Sequence, residues 1–115
     1  MDSEQLQKLA VDALEEIKGI DLIALDVRQV TSIADSIIIA SGSSHRHVQS
    51  LADNVLRRAR EAGVRPLGVE GEQIGDWVLV DLGDVIVHVM RPEVRAFYNL
   101  EKLWDVAPRS AALEG

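Results

Sequence analysis

The sequence predicts an α+β domain in which a mixed five-stranded sheet carries helices mainly on one face. Two long segments have apolar residues at helical spacing, and five short runs are rich in β-branched residues. Their order along the chain is αββαβββα, without a repeat or a low-complexity segment. We therefore expect a single domain over residues 1–106 and a flexible tail over residues 107–115.

The predicted helices are bounded by residues that commonly cap helices. Asp2 or Ser3 can cap the first, with Gln5 completing a capping box, and Gly19 is expected to end it in the left-handed conformation. Pro92 suits the first turn of the last helix. The predicted helices cover residues 3–18, 44–62 and 92–99, with a further turn to residue 104.

The predicted strands differ in how much of each is apolar. The nearly continuous run SIIIA indicates a central strand with both faces covered, whereas Pro66 suits an edge. The loop between the first two strands is short for a helical crossover, so these strands should be antiparallel neighbours. The predicted strands cover residues 21–27, 36–40, 66–69, 77–82 and 85–90.

The last two strands form a hairpin whose faces differ in character. Gly83 and Asp84 make a two-residue loop, and glycine at its first position suits a type II′ turn. Because side chains alternate along a strand, one face is purely aliphatic and should be core. It carries Val78, Val80, Leu82, Val85, Val87 and Val89, and the other, mixed face carries Trp77, Leu79, Asp81, Ile86, His88 and Met90.

Two interpretations of the mixed face compete. A helix of the same domain can cover it, with Asp81 and His88 satisfied by hydrogen bonds. Alternatively the face stays open as a docking patch, since Trp and Met are enriched at protein interfaces. Three helices are few for both faces of five strands. The two long helices should cover one face and the third should pack at a margin, which favours the docking patch.

Composition restricts the classes of partner and the compartment. The formal net charge is −7 and the pI is about 4.8, so nucleic-acid phosphates would repel the chain and a basic protein is the better partner. The chain has no cysteine, which excludes disulfides and thiol chemistry. The N-terminus MDSEQLQK lacks the features of a signal peptide, and no apolar run is long enough for a membrane span. We expect a cytoplasmic protein without a membrane partner.

A search for reactive groups predicts no catalytic, cofactor-binding or metal-binding residue. The turn around Gly42 precedes a helix and could cradle phosphate, but it is more typical of a helix cap. A nucleotidyltransferase would also need a carboxylate pair for metal ions, and no such pair follows on a strand. His45 and His47 are two residues apart and point in different directions. Three arginines near the end of the second helix suit its dipole better than they suit nucleic acid. They are Arg57, Arg58 and Arg60.

Several long motifs together resemble the ribosomal silencing factor family, also called the RsfS or Iojap family. The segments ALDV and ADSIIIASG resemble its first two strands. The likeness spans roughly residues 3–105. The other matching positions are Gly42, Ser44, Arg46, His47 and Val48; Gly68, Glu70, Gly71, Trp77, Leu79, Asp81, Gly83, Asp84, Val87 and His88; and Arg95, Tyr98, Leu100, Glu101, Leu103 and Trp104.

The resemblance implies a non-enzymatic translational repressor with a nucleotidyltransferase-like fold. Such a protein binds the large ribosomal subunit through its fourteenth protein and prevents joining of the small subunit when nutrients are short. Two alternative functions remain, an assembly factor for the large subunit and a nucleotidyltransferase. A homodimer of the free chain, formed through the exposed sheet face, also remains open.

The mixed face and the family resemblance together predict a partner-binding site of seven residues. Trp77, Leu79 and Met90 are expected to be apolar anchors, Asp81 and His88 to supply polar specificity, and Glu70 and Tyr98 to lie at the rim.

Overall fold

The computed structural model describes residues 1–104, so the expected tail, residues 107–115, lies outside the described residues. The predicted order αββαβββα is confirmed. The helices are α1 (Ser3–Glu16), α2 (His45–Glu61) and α3 (Pro92–Tyr98), followed by a 3-10 turn (Leu100–Leu103). The strands are β1 (Ile20–Asp26), β2 (Ser36–Ser41), β3 (Gly68–Glu70), β4 (Trp77–Asp81) and β5 (Val85–Met90).

The five strands form one mixed sheet in the order β1-β2-β5-β4-β3. The β2 and β5 strands are parallel, and the other neighbouring pairs are antiparallel, as expected for β1 and β2. Every residue of β2 is buried, which confirms its central position. The short strand β3 pairs only with β4 and forms an edge, as Pro66 suggested.

The hairpin has the predicted register and turn. Trp77 lies opposite Met90, and Leu79 lies opposite His88. Gly83 has a φ of +91°, as the first position of a type II′ turn requires. The aliphatic face is fully core, because α1 and α2 pack their apolar stripes on it. Its buried members are Val78, Val80, Leu82, Val85, Val87 and Val89.

The opposite face of the sheet is more covered than the sequence analysis expected. Asn99 adopts a left-handed conformation and turns the chain after α3 back toward the sheet. Leu100 then packs into a second buried cluster with Ile37, Ile39 and Met90. The expectation that the last helix leaves much of this face open is therefore wrong for the half beneath Leu100. The half near Trp77 stays partly exposed.

The end of α1 corrects one prediction. Lys18, rather than Gly19, has the positive φ, at +61°. The Gly19 amide donates to Leu14 O at 2.8 Å and the Lys18 amide donates to Glu15 O at 3.0 Å, a Schellman arrangement. Gly19 is small for another reason: a Cβ there would lie 2.9 Å from Leu22 Cδ1.

Two of the three arginines near the end of α2 form ion pairs within the protein. Arg57 donates to Glu61 at 3.1 Å and to Asn54 Oδ1 at 2.7 Å. Arg58 pairs with Glu16 of α1. The hydrogen bond from Asn54, followed by the bond from Arg58, lowers the pKa of Glu16. The contacts of Asn54 and Arg58 with Glu16 join the two long helices across their polar margin, whereas the Arg57 contacts lie within α2.

We predict that Gly71→Ala lowers the free energy of unfolding by about 2 kcal/mol, because φ is +83° there and a Cβ would lie 2.1 Å from the Trp77 carbonyl oxygen. Gly68→Ala is the matched control, since a Cβ at Gly68 meets no atom within 4 Å. Urea unfolding monitored by circular dichroism measures both changes. Equal stabilities of the two variants would contradict the close approach at Gly71.

Candidate partner-binding site

A row of aromatic side chains lies where the mixed face of the hairpin meets α3. The Trp77 and Tyr98 rings have centroids 5.1 Å apart, and the Tyr98 and Phe97 rings have centroids 5.0 Å apart. Leu79 follows Trp77 on the same face of β4. We call these four residues the aromatic patch: Trp77, Leu79, Phe97 and Tyr98.

The aromatic patch is open to solvent on its α3 side. Phe97 is 81% exposed and Tyr98 is 56% exposed, while Trp77 and Leu79 are half-buried. Phe97 was not among the residues predicted from the sequence to form this surface. The available signal was the pair of adjacent aromatic residues in a short helix, and α3 buries none of its own residues. Large exposed apolar side chains that touch one another are typical of a docking surface.

His88 lies beneath the aromatic patch rather than on its surface, which corrects its expected direct contact with a partner. It is only 7% exposed. The indole Nε1 of Trp77 donates to His88 Nδ1 at 3.0 Å, and the two ring centroids are 5.9 Å apart. Burial lowers the pKa of His88 to about 4. The ring is therefore neutral at pH 7, with its proton on Nε2, since Nδ1 accepts from the indole.

Asp81 and Met90 also have structural roles. Asp81 Oδ1 accepts from the Gly83 amide at 2.9 Å and so stabilises the hairpin turn, whereas His88 takes its hydrogen bond from Trp77. Asp81 is half-exposed, and its predicted part in partner binding stays a prediction. Met90 is fully buried in the cluster with Leu100, which corrects its prediction as a surface anchor.

Glu70 lies at the open margin of the same sheet. It is exposed on the edge strand β3 and lies opposite Leu79 in the ladder. The structure thus brings Trp77, Leu79 and Tyr98 to one surface with Glu70 beside them, and His88 supports that surface from below.

Arg95 fixes the helix that carries the exposed aromatic rings. Its Nη1 donates to Asp21 O at 2.6 Å and to Ser41 Oγ at 3.0 Å. Its Nε donates to Glu101 Oε1 at 3.0 Å. These bonds join α3 to the ends of β1 and β2 and to the 3-10 turn, so Tyr98 is held in place although α3 has few buried contacts of its own.

The polar groups at the start of α2 are engaged within the protein. Ser43 N donates to His47 Nδ1 at 2.8 Å, and His47 Nε2 donates to Ile17 O at 2.7 Å. A Cβ on Gly42 would lie 2.8 Å from Val48 Cγ2, so this glycine serves close packing. The turn is thus a helix cap, and it also ties α2 to the end of α1.

His45 belongs to a separate surface ion-pair network. Its Nε2 lies 2.6 Å from Asp76 Oδ1, and Arg91 bridges Asp76 and Glu93. Within residues 1–104, no three His, Cys, Asp or Glu side chains are grouped so that they could hold a metal ion. No helix in that part of the chain is long and apolar enough to cross a membrane.

Comparison with known proteins identifies the family. The family model described as "Ribosomal silencing factor during starvation" matches residues 1–114. The chain belongs to the ribosomal silencing factor family. This family consists of regulatory proteins rather than enzymes, which confirms the sequence-based assignment and gives the chain a ribosome-related role.

Individual relatives agree with this assignment. The ribosomal silencing factor of Chromobacterium violaceum is 50% identical over 104 residues, covering 90% of this chain and 85% of that protein. A crystal structure of protein CV0518 from Chromobacterium violaceum has a TM-score of 0.91 at 48% identity, covering 93% of this chain and 89% of that one. A more distant relative, "Mitochondrial assembly of ribosomal large subunit protein 1" of Mus musculus, is 30% identical, covering 85% of this chain and 44% of that protein.

We predict that burial of His88 makes the fold acid-sensitive, because burial lowers the pKa of its imidazole. The unfolded chain takes up a proton at His88 near the ordinary pKa of 6.5, whereas the folded protein does so only near 4. The contribution of His88 to the free energy of unfolding is therefore complete above pH 6.5. It declines as the pH falls through 4, by a total of about 3 kcal/mol.

His88→Asn is the matched control for this prediction, because its side-chain oxygen can accept from the indole but does not titrate. Urea unfolding of both proteins at pH 7 and pH 4.5 measures the difference in stability. The wild-type chain should lose roughly 2 kcal/mol relative to His88→Asn over this range, since pH 4.5 lies above the folded pKa. A difference that does not change with pH would assign the acid sensitivity to other groups.

Proposed function

We propose that this chain binds the large ribosomal subunit through the fourteenth protein of that subunit and blocks joining of the small subunit. The result is repression of translation when nutrients are short. Family membership supports a ribosomal role. The observation that carries the proposal is the aromatic patch, a solvent-exposed apolar surface on β4 and on the helix α3 that Arg95 joins to the sheet.

The aromatic patch has the character of an interface hot spot. A few residues, often aromatic, supply most of the binding energy in many interfaces, and the contacts around them exclude water. A stable interface buries about 800 Å² on each partner, which is more than four side chains provide, so the patch would form the centre of a wider contact. Tyr98 and Phe97 need little reordering on binding, because Arg95 already holds α3 to the sheet.

The charge of the chain supports a basic partner. The net charge is −7, and Glu70 lies exposed beside Leu79. Ribosomal proteins are typically basic, so opposite potentials would accelerate association and would exclude acidic competitors. Such binding should weaken as salt concentration rises. A protein that acts in this way needs only to occupy the surface that the small subunit would contact, and the ribosome implies the cytoplasm as its compartment.

A role in assembly of the large subunit is the second candidate. The mouse relative named for mitochondrial assembly of the ribosomal large subunit favours it. Both functions use binding to the large subunit, but they differ in their effect on mature particles. Self-association of the free chain through the aromatic patch would compete with either function.

We predict that the protein keeps mature subunits apart. Dissociated small and large subunits are returned to magnesium concentrations that allow joining, with and without saturating protein, and are separated on a sucrose gradient. Free subunits should persist with the protein, which should sediment with the large subunit. Complete joining of subunits in its presence would overturn the blocking function, and binding without blocking would favour the assembly role.

We predict that Phe97→Ala weakens binding to large subunits at least about tenfold while stability stays unchanged, because the side chain is exposed. Trp77→Ala should weaken binding at least as much and also lower stability, because Trp77 is half-buried. Cosedimentation measures affinity, and urea unfolding measures stability.

Ile33→Ala is the matched control for the patch variants. Ile33 is 72% exposed in the loop before β2, and Trp77 lies at the opposite end of the sheet. Affinity of Ile33→Ala should equal that of the wild type. Unchanged affinity of Phe97→Ala, or an equal loss in Ile33→Ala, would contradict the aromatic patch as the binding surface.

A further inference from the structure

We propose that His88 is a positioning residue for partner binding, which fixes the indole of Trp77 in the orientation that meets the partner. The inference rests on the proposed function. His88 does not touch the partner itself, because the half-open side chains of Trp77 and Leu79 lie at the surface above it.

The register of the hairpin places the two rings together. His88 lies opposite Leu79 and Trp77 lies opposite Met90, so His88 and Trp77 are diagonal neighbours on one face. The indole Nε1 donates to His88 Nδ1 at 3.0 Å. Tyr98 packs against the indole at a centroid distance of 5.1 Å and an interplanar angle of 49°. The indole is thus held by the hydrogen bond that it donates to His88 on β5 and by the Tyr98 ring from α3.

The apolar surroundings of His88 indicate that its role is to accept the hydrogen bond from the Trp77 indole. Its neighbours in the ladder are Ile39 on β2 and Leu79 on β4, both aliphatic. Burying an imidazole between such neighbours costs free energy unless a hydrogen bond compensates. An aliphatic residue would fill this place without that cost, but it would leave the indole N–H without its acceptor.

The chemistry of the indole explains why its orientation matters for binding. The N–H group is only a donor, and losing its acceptor on burial in an interface would oppose binding. Because His88 accepts from it inside the protein, the indole can present carbon atoms to the partner with no donor unpaired. The hydrogen bond also restricts rotation of the ring before binding, which reduces the ordering cost of association.

The test compares His88→Leu, which lacks an acceptor, with His88→Asn, whose side-chain oxygen can replace Nδ1. Binding to purified large ribosomal subunits is measured at pH 7 by cosedimentation, at temperatures where urea unfolding shows each variant to be folded. We expect His88→Leu to bind at least about tenfold more weakly and His88→Asn to stay within about threefold of the wild type. Wild-type affinity in His88→Leu, or equally weak binding in His88→Asn, would overturn the proposal.

Ile38→Val separates positioning from general stability. Ile38 is fully buried in the cluster under α1 and α2, on the other face of the sheet, and its truncation lowers stability without touching the Trp77 bond. Its affinity should equal that of the wild type. A comparable loss of affinity in Ile38→Val would assign the effect of His88→Leu to stability. If His88→Leu does not fold, His88→Val is the second acceptor-free variant.

Fluorescence gives a readout that does not depend on the ribosome. The chain has two tryptophans, so Trp104→Phe leaves Trp77 as the only one. In that background His88→Leu should lower the anisotropy of Trp77 and increase its quenching by acrylamide, and His88→Asn should restore both. Unchanged anisotropy and quenching in His88→Leu would overturn the positioning role. If the wild-type chain fails to bind large subunits while these fluorescence changes occur, the proposed function is wrong and the indole is still held by His88.

Discussion

The parallel pairing of β2 with β5 is the contact on which the rest of the structure depends. It joins the antiparallel pair β1–β2 to the antiparallel unit β3–β4–β5 through six rungs, from Ser36 opposite Val85 to Ser41 opposite Met90. Parallel strands need a long crossover, which here runs through α2, β3 and β4. The apolar stripe of α2 packs on the aliphatic face of the hairpin. Burial of that face therefore stabilises the crossover and the sheet together.

Because β2 and β5 are parallel, their carboxyl ends lie next to each other at one end of the sheet. The Gly42 amide donates to Met90 O at 2.9 Å, which places the start of α2 beside the start of α3. Trp77 enters the sheet at the same edge, because β4 is antiparallel to β5. This is where ligand sites often form in α/β sheets, but here the polar side chains pair with one another and the aromatic ones face outward. Within residues 1–104, this end of the sheet therefore carries exposed aromatic side chains beside polar groups that are paired with one another.

Period-two alternation was enough to predict the hairpin, because turn and apolar pattern agree on one register. The capping box of Asp2 and Gln5 was also predictable, because it depends only on residues close in sequence, and it is present. The contact made by His88 was not predictable to the same degree. The register makes both Asp81 and Trp77 diagonal neighbours of His88, so either could form a hydrogen bond with it. Asp81 instead accepts from the Gly83 amide, and His88 accepts from Trp77.

Other features depended on contacts distant in sequence. Met90 is buried because the left-handed Asn99 turns the chain so that Leu100 packs on the sheet. The apolar spacing of helices and strands does not predict such a turn. The left-handed residue at the end of α1 is Lys18 rather than Gly19, and the hydrogen bonds from Lys18 N to Glu15 O and from Gly19 N to Leu14 O fix that position. Exposure of Phe97 follows from the attachment of α3 by Arg95, whose acceptors include Asp21 O and Ser41 Oγ.

The two outer strands have a consequence for the manner of recognition. Strand β3 has three residues, and β1 has an irregular register between Ile20 and Ile23 with a positive φ at Asp21. Neither edge offers a long regular row of backbone donors and acceptors, so neither is a template for an added strand of another protein. If the sheet binds the proposed partner, recognition would therefore depend on side chains, and substitutions in the partner's side chains, more than in its backbone conformation, would determine which proteins bind.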